Sequence, residues 1–380
     1  MLTGLELANF KCFELLKLPL TPLTMLSGAN ASGKSSVLQA LVLLHQTISE
    51  QEWSNRLLLN GRELRLGTVT DVVDKVTGRK GFAIGLIDGD RTIRWSFQVD
   101  DRKDMSAAVH SLTVGDVVYD SPQNLQFLLP AVSAPALHEL AQRLARLSYL
   151  TAERVGPREV YSLEDPSSTQ VVGPRGESAV SVLHWGRDKK ILDDLVVFGA
   201  PPTRLRQVEA YMKQFFPGCS FEIQQVPQTN GCTLGLRTSD ATDFHRPIHV
   251  GFGLTQLFPI LVAALSARRG DLLLIENPEV HLHPAGQAKI GGFLAKISAA
   301  GIQVIVETHS DHVLNGVRRS VKANVLKCED VTLHFFRDRD AVSDQVISPT
   351  IDRNGNLDIW PTGFFDQFDK DMNHFAGWGD

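Results

Sequence analysis

The sequence predicts an α/β fold, a mixed central sheet flanked by helices, with a β-rich N-terminal part and a helical insertion. Three observations predict it. Gly28-Ala29-Asn30-Ala31-Ser32-Gly33-Lys34-Ser35 fits G-x-x-x-x-G-K-[ST], with an apolar run at 23–27 before it and a helical pattern at 36–44 after it. The apolar run 272–275 reads as a buried parallel strand and ends in the acids of Glu276-Asn277-Pro278-Glu279. A second buried run, 302–306, ends in Glu307-Thr308-His309-Ser310.

The first motif is a phosphate-binding P-loop. Gly28 and Gly33 let the backbone turn tightly, so that successive N–H groups point at phosphates. Lys34 is placed to reach the β- and γ-phosphates, and the Ser35 hydroxyl to ligate Mg²⁺. The N-terminus of the following helix faces the anion. Candidate nucleotide-binding residues are therefore Asn30, Ala31, Ser32, Gly33, Lys34, Ser35 and Ser36, and the ligand class is a nucleoside triphosphate.

At the second edge, Glu276 takes the metal-side position if Pro278 marks the register, and Asn277 falls where a general base is expected. An amide cannot accept a proton from water as a carboxylate can. Three readings stay open: Glu279 is the base, Asn277 only orients the water, or hydrolysis is slow. His309, after its own buried strand, is a candidate sensor of the γ-phosphate. His249-Val250-Gly251-Phe252-Gly253-Leu254-Thr255-Gln256 leads into a helix, and a glycine turn there is a further candidate anion site through Gly251 and Gly253.

Along the chain, 2–10 and 14–26 read as strands leading into the loop. The helix after it runs to about His45, and 46–60 continues as a polar segment. From 64 to 120 the pattern alternates, and 82–97 reads as a hairpin about Asp88-Gly89-Asp90. A helix fits 135–147 and a strand 148–150. The Ser/Pro/Gly-rich 163–178 is a loop, and helical patterns follow at 177–185, 188–198 and 203–215. Strands fit 220–238, and a helix fits 254–268 with Pro259 near its first turns, where proline is tolerated. Strand and helix alternate over 271–325, and 331–350 returns to strand. The expected domains are a discontinuous head over 1–330, with an insertion at about 160–250, and a short C-terminal region, 331–380, packed on it. No internal repeat is visible, and no sustained heptads lie between the loop and residue 250, so a long coiled-coil arm is not expected.

Bulk properties narrow the class. The 380 residues are 43% hydrophobic and 21% charged, enough to build a sizeable core. A net charge of −5 gives no bulk support for nucleic-acid binding and leaves only local basic contacts. The four cysteines are scattered without a C-x-x-C pair, which fits a reducing cytosol. No signal-peptide pattern opens the chain, and its longest apolar runs, such as 257–265, fall short of a membrane span, so the expectation is a cytoplasmic protein off the membrane. Two metal readings find little support in the spacing. His281, His283, His309, Asp311 and His312 have no spacing that fixes zinc geometry, and the Asp338/Asp340 pair lacks a partner acid.

Asn9-Phe10-Lys11, the loop 28–36, Glu276-Asn277-Pro278-Glu279-Val280-His281-Leu282-His283-Pro284 and Glu307-Thr308-His309-Ser310 resemble, in this order, the ABC-type ATPases grouped in bacteria as the AAA family. These are close to the overcoming-lysogenisation-defect, RecF-like and SMC-like ATPases, and the resemblance covers almost the whole chain. Residues 149–158 and 172–177 are similar to further motifs of one branch, and 355–366 looks like the short tail domain that marks it. The resemblance adds Lys11 to the nucleotide-binding set, and 251–256 takes the place of the ABC signature. It implies ATP with Mg²⁺, the metal held by Ser35 and Glu276, and an ATP-sandwich dimer in which the P-loop of one subunit faces the signature of the other. Relatives serve DNA repair or antiphage defence, often beside a nuclease. The implied partners are thus a second copy, a separately encoded effector (nuclease or toxin) and DNA, with Arg154, Arg158 and Arg175 as candidate contacts, though arginines in a nucleotide site fit these positions equally well. Two departures matter: no TOPRIM nuclease pattern follows His309, and Asn277 stands where many relatives carry Glu. A slow or non-hydrolysing ATP switch, and a transporter ATPase subunit, are the competing readings. The second lacks L-S-G-G-Q.

Overall fold

The alternating N-terminus forms β1 (Leu2–Phe10), which pairs antiparallel with β2 (Phe13–Pro19). In this computed structural model the described residues are 1–76, 78, 80–99, 101–131, 135–166, 171–239, 241–337 and 344–376. They divide into two units, Met1–Ala145 with Lys327–Asp380, and Arg146–Leu326.

In the first unit, β3 (Leu23–Gly28) leads into the P-loop and α1 (Lys34–Glu50). Then come β4 (Arg56–Leu58), β5 (Gly81–Asp88), β6 (Arg91–Gln98), β7 (Ser106–Val114) and β8 (Val117–Asp120). The short β9 (Leu125–Gln126) and β10 (Leu129–Pro130) precede α2 (Pro135–Ala145). The sheet runs β2-β1-β5-β6-β7-β4, with β8 also on β7. Alternation buries one face of β6, where Ile93, Trp95 and Phe97 point inward. Trp95 Nε1 donates to the Leu128 carbonyl at 2.7 Å, which satisfies its one donor in the core. Phe97 stacks on Phe82 at 4.8 Å between centroids.

The second unit opens with β11 (Ser148–Leu150) and β12 (Tyr161–Ser162). It continues with α3 (Ala179–Gly186), α4 (Arg204–Phe215), β13 (Ser220–Gln225), β14 (Gly231–Arg237) and α5 (Phe252–Ser266). It closes with β15 (Leu272–Glu276), α6 (Pro284–Ala299), β16 (Gln303–Glu307) and α7 (Asp311–Lys322). β11, β15 and β16 are parallel neighbours, with Leu150 opposite Ile275 and Glu276 opposite Glu307. All three strands therefore end at one edge, the edge where open α/β sheets bind ligands. The chain returns to the first unit with β17 (Val331–Phe336), parallel to β3, then β18 (Val346–Ile347) and α8 (Gln367–Phe375).

Several expected elements are corrected. The 14–26 strand is two strands, parted where Thr21 Oγ1 donates to the Leu23 carbonyl and so bends the chain at Thr21-Pro22. α1 continues to Glu50 because its polar end is buried: Gln46 Nε2 donates to Leu58 O at 2.7 Å, and Thr47 Oγ1 accepts from Leu58 N at 2.9 Å. The 188–198 helix is absent apart from the single turn Asp193–Leu195. There Gln207 captures the backbone instead, accepting from Val197 N and donating to Ala200 O and Pro201 O. α5 starts at Phe252, which puts Pro259 in its third turn, an interior position. Within 160–250, where helices were expected to dominate, β12, β14 and β13 form a three-stranded antiparallel sheet. Asp338 and Asp340 lie outside the described residues.

Two buried histidines of the first unit make stability depend on pH. Burial lowers His45, whose Nδ1 donates to Leu144 O, and His334, held by Pro19 O and Ser348, to about 4. The unfolded chain binds these protons first, so stability is full above pH 6.5 and falls as pH drops towards 4, by about 1.4 kcal/mol per pH unit for each histidine. Urea unfolding at pH 7, 6 and 5 should show this slope, and His45→Gln should make it shallower.

Candidate nucleotide site

In the first unit the loop is shaped by backbone that only small or special residues adopt. Gly33 has φ +104°, and a Cβ there would lie 2.5 Å from both Phe13 Cζ and Cys12 Sγ. Gly28 has φ +140°, and a Cβ would meet the Phe336 carbonyl oxygen at 2.1 Å. The glycines thus let β17 and the turn after β1 close directly on the loop. Lys34 is only 3% exposed, and its ammonium donates to Gly28 O at 3.1 Å and Ala29 O at 2.7 Å, which fixes the charge inside the loop. Ser32 Oγ donates to Ala29 O at 2.8 Å, and Ser36 N to Gly33 O at 3.0 Å. Asn30 and Ala31 are exposed at the tip, and Ser35 is half-buried in the first turn of α1. Lys11 follows β1 at φ +52°, donates to Gln39 Oε1 on α1, and is pulled below its ordinary pKa by burial.

In the second unit the parallel strands gather the other candidates. Glu276 accepts from Tyr149 Oη at 2.7 Å and from Ala152 N at 3.2 Å, both supplied by the end of β11. Asn277 sits at φ +43°, and its N–H continues the ladder to Glu307 O at 2.8 Å. Arg154 is 5% exposed and donates to Thr151 O, Glu276 O and Asn277 O at 2.7–3.0 Å. Burial lowers its pKa to about 10, a shift opposed by Glu279 and Glu276, so it stays charged at neutral pH. Arg154 therefore braces the acidic edge and is not open to a DNA phosphate. Arg175 pairs with Glu153 at 3.0 Å on the surface, and Arg158 is exposed.

Glu279 Oε1 accepts from His309 N at 2.9 Å, while Oε2 is buried without a protein partner. Burial raises its pKa above the ordinary glutamate range, against hydrogen bonds from His309 N and Thr308 and the charge of Arg154. The His309 ring side is exposed, and Ser310 caps α7 by accepting from Val313 N at 3.2 Å. Gly251 is exposed at the N-cap of α5. Gly253 is buried, and a Cβ there would lie 2.8 Å from His281 O, so this turn packs tightly on the loop after β15. His283 caps α6 through Nδ1. No group of three or more His, Cys, Asp or Glu suited to a metal ion occurs among the described residues.

Each unit holds groups of the kind that a magnesium nucleotide requires. The loop offers main-chain N–H groups and a buried ammonium for phosphates. The acidic edge offers the carboxylate of Glu276 and two orphaned buried oxygens, Asn277 Oδ1 and Glu279 Oε2, which suit water and a hard cation. Tyr149 and Ala152 as supports of Glu276 were missed in the sequence. The signal was the run 148–150, whose pairing with β15 could not be read from one chain.

This is the architecture of a P-loop ATPase head of the SMC/ABC type. It is similar to the crystal structure of an Smc head bound to the C-winged helix domain of ScpA, at 16% identity and TM-score 0.55, covering 93% of this chain and 98% of that one. It is also similar to a Pyrococcus furiosus Smc head domain with an extended coiled coil bound to the C-terminal domain of ScpA, at 14% identity and TM-score 0.55, covering 99% of both chains. No curated protein sequence matches. Residues 23–315 match the AAA domain family described as putative AbiEii toxin, Type IV TA system, and the chain belongs to that family. Residues 326–374 match the family described as protein of unknown function DUF3696. Among the described residues no helix is long and apolar enough to cross a membrane.

Replacing Arg154 by Met should leave the Glu276 and Asn277 carbonyls without their donor and cost about 2 kcal/mol or more. A lowered urea midpoint checks this. An unchanged midpoint would remove Arg154 as the brace of the edge.

Proposed function

We propose that this chain is an ATP hydrolase whose general base is Glu279, working as an ATP-closed homodimer with a separately encoded effector. Glu279 carries the reading: it is a half-buried acid with one oxygen anchored by His309 N and the other buried without a protein partner, and burial raises its pKa above the ordinary glutamate range, which makes its carboxylate a stronger base towards water. Asn277, an amide, is left to orient. Lys34 and the loop N–H groups hold the phosphates. Ser35 and Glu276 hold Mg²⁺, which when bound neutralises charge on the transferring phosphoryl group. Because the His309 amide anchors the base, movement at His309 on loss of the γ-phosphate would also move Glu279, which links turnover to the state of the dimer. Gly251 and Gly253 at the α5 N-terminus are the residues we assign to the partner subunit's nucleotide.

Family membership and the motif order support the ATPase part. The bacterial antiphage or DNA-maintenance role and the separate effector rest on the resemblance. A non-hydrolysing switch is the second reading, and Asn277 is the residue that favours it.

Steady-state turnover separates them. Lys34→Ala should abolish turnover. Glu279→Gln should lower kcat about 100-fold or more while ATP still drives self-association. The base must be deprotonated to act, so the acid limb of the wild-type pH profile should lie above the ordinary glutamate range. Turnover unchanged in Glu279→Gln would reject this assignment.

A further inference from the structure

A cavity of about 420 Å³ opens in the second unit, between the end of α3, the start of α4, the end of α5 and the start of β15. It lies at the opposite ends of β15 and α5 from Glu276 and Gly253, so it is distinct from the candidate nucleotide site. Among the described residues five cations line it, Arg146, Lys189, Lys190, Arg204 and Arg268, against one carboxylate, Asp271. That carboxylate is already engaged: Oδ1 pairs with Arg146 Nε at 2.9 Å, and Oδ2 accepts from Arg268 N at 2.8 Å.

The remaining positive charge is therefore not balanced from within the lining. Arg204 shows the consequence. It is seated over Gly186, where a Cβ would come within 2.0 Å of its Nη1, so the glycine makes room for the guanidinium. Its Nε is buried and has no hydrogen-bond partner, and the Ser266 hydroxyl in the same wall is likewise buried and unpartnered. Burial, and then the neighbouring charge of Arg268, lower the Arg204 pKa. Like charges held together with orphaned donors are costly unless an anion joins them. Trp185 lines the same cavity and is about half exposed (47%), with its indole N–H donating to Glu164 O at 2.9 Å. A fixed aromatic wall beside a cationic pocket suits a ligand with a ring and a phosphate. The volume is that of a small-molecule site.

We propose that this cavity binds a small phosphate-bearing molecule, with Arg204 and Arg268 as its anion ligands and Lys189 and Lys190 on the rim. The proposal goes beyond the ATPase reading and does not depend on it. It is tested by calorimetric titration of inorganic pyrophosphate and of adenosine diphosphate into the full chain carrying Lys34→Ala, which disables the P-loop. Saturable binding that weakens at least ~10-fold on adding Arg204→Gln and Arg268→Gln is expected. Tighter binding of the diphosphate nucleoside than of pyrophosphate would name a nucleotide as the ligand, and equal binding would name the phosphate group alone. Circular dichroism confirms folding of the double-glutamine protein. Should that protein not fold, Lys189→Gln with Lys190→Gln, both on exposed positions, should still weaken binding. No saturable binding in the Lys34→Ala chain, or binding indifferent to all four substitutions, overturns the proposal.

Discussion

A buried guanidinium that directs its donors at consecutive main-chain carbonyls holds the acidic edge in place. Arg154 reaches the carbonyls of Glu276 and Asn277 where β15 ends, and the same side chain bonds Thr151 in its own turn. The turn after β11 is thereby tied to the turn after β15. From that tie follow the seat of the Glu276 carboxylate against Tyr149 and Ala152, and the left-handed conformation of Asn277. A lysine could not do this, since one ammonium lacks the planar fork that reaches both carbonyls. Its neighbour Glu279 feels the charge, yet burial outweighs it and raises the Glu279 pKa above the ordinary glutamate range.

The P-loop solves a different problem with steric means. Two glycines at positive φ bring β17 and Phe13 within contact of the loop, and the lysine is buried with its charge against two carbonyls. The phosphate side thus relies on backbone shape, and the acidic side on a charged brace. Both arrangements fix polar groups before any ligand arrives, which reduces the reorganisation that binding and chemistry demand.

The two ends of β15 have contrasting electrostatics. One presents Glu276 and, just beyond it, Glu279. The other begins at Asp271, amid five cations. Such separation on one strand is hard to explain as packing alone, because the cationic end leaves buried donors unpartnered. It is consistent with two anion-related tasks, each at its own end.

Much of this was legible in the residues. The P-loop, the acidic edge, His309 and the parallel strands that carry them are local patterns, set by the spacing of glycine, apolar and charged side chains over a few positions. The hairpin about Asp88-Gly89-Asp90 was read for the same reason, and Gly89 takes φ +62° there. What pattern could not supply was tertiary. The polar segment after His45 begins with the buried end of α1, because Gln46 and Thr47 find their backbone partner in Leu58 of β4. The helix expected over 188–198 gives way to one turn because Gln207 offers that backbone other bonds. Arg154, a candidate contact for DNA or for a nucleotide, is bonded internally to the Glu276 and Asn277 carbonyls. In each case the sequence determined which groups could make a strong interaction. Only the fold decided which partner came within hydrogen-bond distance, whether about ten positions away, as for Gln46 and Gln207, or more than a hundred, as for Arg154.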